Sequence, residues 1–184
     1  LAVLTLSQAS SVQAQTVVLD DGDATFSSQL GGGVVILMYH GLDNNTGTFY
    51  APSFQPQMQY LKDNNFTPIS MDALVSWIKT GAPALPAKPI VLTFDDDYIT
   101  IYTVAYPVLQ SLGFVATGYA HTNFVGVHPG PSTSYDHASW TQLQEMETAG
   151  VVITQSHTLT HPYLAQISDA QENSEIVNSK AAIE

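Results

Sequence analysis

Arginine is absent from the 184 residues, and four lysines face sixteen acidic side chains. The resulting formal charge of -12 at pH 7 excludes binding through nucleic-acid phosphates, which needs basic side chains in numbers. It excludes an anionic membrane surface on the same ground. Cysteine is also absent, so there is no disulfide framework, no thiolate nucleophile and no thiolate metal site. Any metal must be held by imidazole and carboxylate. No apolar run approaches the ~20 residues of a membrane-spanning helix. Hydrophobic residues nevertheless make up 45% of the chain and charged ones only 11%. That supplies a core, is too apolar for a disordered acidic chain, and fits one domain or slightly more.

The N-terminus opens with the apolar run Leu1–Leu6, followed by the small and polar stretch Ser7–Gln15. Val12-Gln13-Ala14 has the small-residue pattern of a signal-peptidase site with cleavage after Ala14, so 1–14 reads as the remnant of a secretory signal. A secreted or periplasmic protein is expected on that basis. Residues 15–33, rich in Asp, Ser and Gly, read as a flexible lead-in, and 34–184 as the folded domain.

Regular structure is expected to begin at Val34. Val34–Tyr39 and Ile90–Phe94 are continuous apolar runs, as in strands buried on both faces. Phe66–Ile69 is a short extended piece, and Phe114–Tyr119 and Val151–Gln155 complete the strands. Between them, Phe54, Met58 and Leu61 fall at helical spacing. Ser70 caps a helix through Lys79 that carries Leu74, Val75 and Ile78 on one side and stops at Gly81. Tyr102–Leu112 is helical in pattern, with Pro107 demanding a kink or a late start. Ser139 with Gln142, and Ser168 with Gln171, are capping boxes that open two further helices. Trp140 joins Leu143 and Met146 on the first of these as core. His121–His137 is a long Gly/Pro/Ser loop. Strands alternating with helices imply parallel βαβ units, hence an α/β sheet or barrel with its site at the C-terminal strand ends. His40, Asp95–Asp97, His121 and His157 occupy those ends.

Asp95-Asp96-Asp97 closes a buried strand. Three adjacent carboxylates raise one another's pKa unless a cation or basic group is near. A bound cation and a polar loop capping the next helix both remain open. His157-Thr158-Leu159-Thr160-His161 follows another strand. Histidines at i and i+4 on a helical turn stand about 6 Å apart, close enough to share one metal. With the acidic strand end they describe a two-His, one-carboxylate facial site, which leaves positions open for water and substrate.

Thr93–Tyr98 (TFDDDY) resembles the TFDDGY signature of the polysaccharide deacetylases with the NodB-homology domain, carbohydrate esterase family four. Ser156–Pro162 (SHTLTHP) resembles that family's SHTxTHP signature. Leu37–His40, Pro68-Ile69-Ser70, Tyr106–Leu109 and Gly113-Phe114 resemble its poly-N-acetylglucosamine deacetylase branch. The resemblance covers Val34 to Glu184 and implies a distorted, incomplete (β/α) barrel with parallel strands. It implies that Asp96, His157 and His161 hold one divalent metal, zinc first, with cobalt, nickel, iron or manganese also accepted. It implies Asp95 as the base toward a metal-bound water that attacks an acetyl carbonyl. The implied partner is an acetylated polysaccharide, with an N-acetylglucosamine polymer favoured.

His40, Asp97 and His121 are further candidates, as substrate contacts or as supports behind the ligands. His128 and His137 read as solvated. Asp97 stands where the family usually has Gly, a position suggesting positive φ. The family's later signatures, among them an Arg- or Tyr-Pro strand and a Leu-x-x-His strand, are not met before Glu184, so a chain truncated ahead of them is expected. The competing function is a non-catalytic, secreted glycan-binding module that keeps the fold.

Overall fold

The computed structural model describes residues 13–17, 33–43, 49–128 and 136–184. The sheet contains β1 (Gln13–Val17), β2 (Val34–Tyr39), β5 (Thr67–Ile69), β6 (Pro89–Asp95), β7 (Ala116–Ala120) and β8 (Val152–Ser156), and β3 (Leu42–Asp43) pairs with β4 (Phe49–Tyr50) in a separate ladder. The main order is β1-β2-β6-β7-β8, and every pairing except β1 with β2 is parallel. β2 runs along one edge of β6 from Val35 opposite Ile90 to Tyr39 opposite Phe94. The other edge is shared, with β5 on Pro89–Val91 and β7 on Thr93–Asp95. Among the described residues the sheet stays open, with β1 and β8 at its ends, as an incomplete barrel requires.

The apolar run of β6 divides between two layers because successive side chains point to opposite faces. Ile90, Leu92 and Phe94 join the larger core, built with Phe54, Met58 and Leu61 of α1 (Ala51–Asp63), Leu109 of α3 (Tyr106–Leu112) and Leu143 and Met146 of α4 (Trp140–Thr148). Val91 joins Val34, Leu74 and Trp77 on the opposite face, the last two from α2 (Met71–Thr80). Both faces are therefore covered, which is why the strands read as apolar runs rather than alternating ones. β7 has Gly118 where a Cβ would stand 3.1 Å from Val152 Cγ1 and 3.3 Å from Ile101 Cδ1, so glycine lets the neighbouring elements close in.

Helix ends follow the sequence signals. Ser70 accepts from Ala73 N, and Gly81 ends α2 at φ 71°. Both capping boxes form, at Ser139–Gln142 and at Ser168–Gln171, the latter opening α5 (Asp169–Ile183). Pro107 produces the late start: a π-helical turn, Ile101–Ala105, precedes α3.

Four expectations are corrected. Regular backbone begins before Val34, since Gln13–Val17 pairs antiparallel with Val34–Met38 and crosses the 1–14 and 15–33 boundaries; the rest of the leader and lead-in, 1–12 and 18–32, lies outside the described residues. On α2 the buried stripe is Leu74 with Trp77, while Val75 and Ile78 are exposed, because an i, i+3 pair already spans the contact. Trp140 is 41% exposed, since the first residue of α4 lies at the edge of the stripe that Leu143 and Met146 bury. The segment His157–His161 is not a helical turn, for reasons given below.

Candidate metal centre

β6 delivers Asp95 at its last position, and the chain then turns through two left-handed residues, Asp96 at φ 73° and Asp97 at φ 42°. Aspartate tolerates that region better than most side chains, so Asp97 satisfies the positive φ expected at this position. The turn gives the three carboxylates three different sets of neighbours, although Asp96 still adds to the rise at Asp95. Asp95 is half-buried at the strand end. Burial pushes its carboxyl above the ordinary range, opposed by His40 and, beyond Asp96, by His161 and His121. Asp96 faces the histidines: burial works against ionisation, but His121, His40 and His157 outweigh it and hold Asp96 below the usual range. Asp97 is 2% exposed and accepts the His121 backbone N–H at 3.0 Å. Burial pushes its carboxyl up, against His137 and His121.

The histidines arrive from neighbouring strand ends. His157 follows β8, and its N–H donates to Ala120 O at 2.9 Å, which sets it beside His121 at the end of β7. Thr158 (φ 70°) and His161 (φ 57°) are left-handed, so the chain doubles back instead of coiling. The expected i, i+4 proximity is thus achieved by a folded loop, with His157 and His161 rings 4.6 Å apart. Burial, with His121 and His161 adding to it, lowers His157 to about 4, which keeps it in the neutral form that ligates.

Asp96, His121, His157 and His161 each present a donor atom within 4.8 Å of the others. His157 Nε2 is 3.5 Å and His121 Nε2 2.8 Å from Asp96 Oδ1. Asp96 Oδ1 and both ring nitrogens of His121 are buried without a hydrogen-bond partner, despite that short distance. One carboxylate and three imidazoles that converge, with Asp96 Oδ1 and the His121 nitrogens left without hydrogen bonds, fit a divalent cation. His161 is exposed and opens the group to solvent.

Three features escaped sequence reasoning. His137, expected to be solvated, is 8% exposed: Nδ1 lies 2.9 Å from Asp96 O and 3.3 Å from Asp97 Oδ2, and its ring stacks on Tyr98. Nothing in a Gly/Pro/Ser loop signals that. Glu175 of α5 accepts from Leu159 N at 2.8 Å, Thr160 N at 2.9 Å and Thr160 Oγ1 at 2.6 Å. One turn later, the fully buried Ser179 meets Ser156 Oγ at 2.5 Å. A glutamate and a serine at i, i+4 face the loop, and only that spacing could have hinted at it. His128 is solvated as expected, with its side chain 66% exposed.

Carboxylate and imidazoles thus converge at the C-terminal ends of parallel strands in an α/β sheet, a donor set of the kind that holds a divalent cation. Residues 82–184 match the family model described as polysaccharide deacetylase, and the chain belongs to that family. It is 29% identical over 163 residues to YxkH of Bacillus subtilis (strain 168), covering 88% of this chain and 55% of that protein. It is 32% identical over 108 residues to the poly-beta-1,6-N-acetyl-D-glucosamine N-deacetylase of Staphylococcus epidermidis, covering 57% of this chain and 35% of that enzyme. The solved structure of the Streptococcus pyogenes deacetylase PplD in complex with acetate matches with a TM-score of 0.68 at 27% identity, over 79% of this chain and 65% of that one. The chain thus spans about half the length of the first curated relative and a third of the second.

Proposed function

We propose that this chain carries the metal centre and the base of a hydrolase that removes acetyl groups from an acetylated polysaccharide, with an N-acetylglucosamine polymer as substrate. The observation that carries the reading is Asp95 standing beside the Asp96, His157 and His161 cluster in a chain of the deacetylase family. The likeness to the staphylococcal enzyme supports the choice of sugar. Zinc suits a donor set of one carboxylate and several imidazoles.

A divalent ion held there supplies Lewis acidity and lowers the pKa of water. Asp96 is occupied with the histidines, and Asp97 is sealed behind them, so Asp95 is the carboxylate left to take a proton from the attacking water. His157 offers a neutral nitrogen, His161 brings a second imidazole to the cluster, and His40 places a further one near Asp95. Water adds to the acetyl carbonyl carbon, and the C–N bond of an N-acetyl group breaks to give acetate and an amine. With an O-acetyl group the C–O bond breaks and a hydroxyl is freed. Export to the cell exterior or periplasm is part of the same proposal and rests on the apolar run Leu1–Leu6 and the small and polar stretch that follows it.

The test is acetate release from acetylated β-1,6-linked glucosamine oligomers by the zinc-loaded chain. Release that Asp95→Asn abolishes, with zinc retained, supports the reading. No release from N- or O-acetylated substrates by the zinc-loaded protein overturns it in favour of the non-catalytic alternative.

A further inference from the structure

We propose that His121 is a fourth protein ligand of the metal held by Asp96, His157 and His161, and that Asp97 is the residue that orients it. The inference rests on the metal reading above but not on turnover.

His121 follows β7, the strand between β6, which brings Asp96, and β8, which brings His157. Its ring stacks on His157 at 5.1 Å and 18°, and lies 4.8 Å from the His161 ring. Its Nε2 points at the same Asp96 Oδ1 that His157 Nε2 approaches. The side chain is 9% exposed, and despite the 2.8 Å approach to Asp96 neither nitrogen is in hydrogen-bonding geometry. A buried imidazole left in that state costs free energy that a metal bond removes.

Asp97 supplies what a ligating histidine requires behind it. Metal-bound histidines present their second ring nitrogen to a carboxylate or carbonyl that fixes ring and tautomer. Asp97 Oδ1 accepts the His121 backbone N–H at 3.0 Å and stands 3.5 Å from Nδ1, the nitrogen not aimed at Asp96. Asp97 Oδ2 lies 3.3 Å from His137 Nδ1, which is itself 2.9 Å from Asp96 O, so His137 closes the carboxylate in on its far side. A glycine at 97 would leave His121 with no such support.

The test titrates zinc into the full chain and counts imidazole ligands by X-ray absorption. Three imidazoles per zinc in the wild type support the proposal; two overturn it and leave His121 as a neighbour of Asp96 that does not ligate. His121→Gln should weaken zinc binding about 100-fold and remove one imidazole. Asp97→Gly should weaken binding about 10-fold, in line with losses on removing a ligand's support. The exposed His128→Gln is the control and should change nothing. Zinc affinity of His121→Gln within threefold of wild type overturns the proposal, as does a stoichiometry of two zinc ions, which would give Asp97, His121 and His137 an ion of their own. Should His121→Gln fail to fold, the wild-type imidazole count still decides. Failure of the wild type to bind zinc at all sinks the metal reading itself, whereas zinc held by two imidazoles sinks only the role of His121.

Discussion

Glu175 grips Thr160 twice, through its backbone N–H at 2.9 Å and its hydroxyl at 2.6 Å, and so ties α5 to the loop between His157 and His161. With Leu159 N on the same carboxylate and Ser179 on Ser156, α5 holds this loop at both ends. The loop needs holding, because Thr158 and His161 sit in left-handed backbone that other arrangements would relieve. Glu175→Ala should weaken zinc binding about tenfold, as loss of a support behind a metal site does, and Glu175→Asp should recover part of it. Competition titration with a chromogenic chelator measures both. An unchanged affinity in the alanine variant would mean that the loop holds itself.

The same clamp has a pH dependence. Burial slightly opposes ionisation of Glu175, but hydrogen bonds from Thr160 and Leu159 dominate and hold its carboxyl below the usual range. A depressed folded pKa gives stability that is complete above the unfolded glutamate value of about 4.3 and is lost as pH falls through the lower folded value. Wild type and Glu175→Gln should therefore differ in melting temperature at pH 7 and converge as pH falls below about 4. A difference that stays constant with pH would assign the effect to packing rather than charge.

Asp95 is adjacent to Asp96 in sequence, but only Asp96 belongs to the group of converging donor atoms, and the proposed reading gives the two carboxylates different roles. Asp95→Asn keeps the shape and removes the proton acceptor, so acetate release should fall at least about 100-fold while zinc content is unchanged. Asp96→Asn should instead lower zinc content. If the two variants lose metal equally, the division of labour between the carboxylates is wrong.

Most of the sheet was legible because burial on both faces leaves continuous apolar runs, as in Val34–Tyr39 and Ile90–Phe94, and because capping boxes mark helix starts whatever the tertiary context. Asp95, Asp96 and His157 were legible as strand-end residues and His161 from its spacing to His157, and the structure brings the last three together with His121. What was not legible depends on backbone that no spacing rule describes. The HTLTH segment reads as a helical turn, yet two left-handed residues fold it back. His137 lies in a loop whose composition signals solvent, yet stacking on Tyr98 and the contact with Asp96 O bury it. Gln13–Val17 resembles the end of a leader, yet its backbone completes the sheet edge.

Gly118 offers a test of how tightly β7 is seated, independent of any metal. A methyl group there would stand 3.1 Å from Val152 Cγ1 and 3.3 Å from Ile101 Cδ1, too close unless one of them yields. Both belong to the main core, where added volume forces side chains off their preferred rotamers. Gly118→Ala should cost about 1–3 kcal/mol in urea unfolding of the metal-free protein. A neutral result would show that the π-helical turn carrying Ile101 shifts freely.

Metal removal should expose the electrostatics that the cation balances. Asp96 Oδ1 and both His121 nitrogens are buried without hydrogen bonds, and a ligand that binds only the folded chain stabilises it by mass action. At a zinc concentration 100 times the dissociation constant the gain is about 2.7 kcal/mol. Stripping the protein with a chelator should therefore lower its melting temperature by several degrees, and zinc should restore it. His128→Gln should follow the wild type, while Asp96→Asn should melt near the stripped value whether or not zinc is added. Equal melting temperatures for stripped and zinc-loaded wild type would mean that these buried polar atoms are satisfied in some other way.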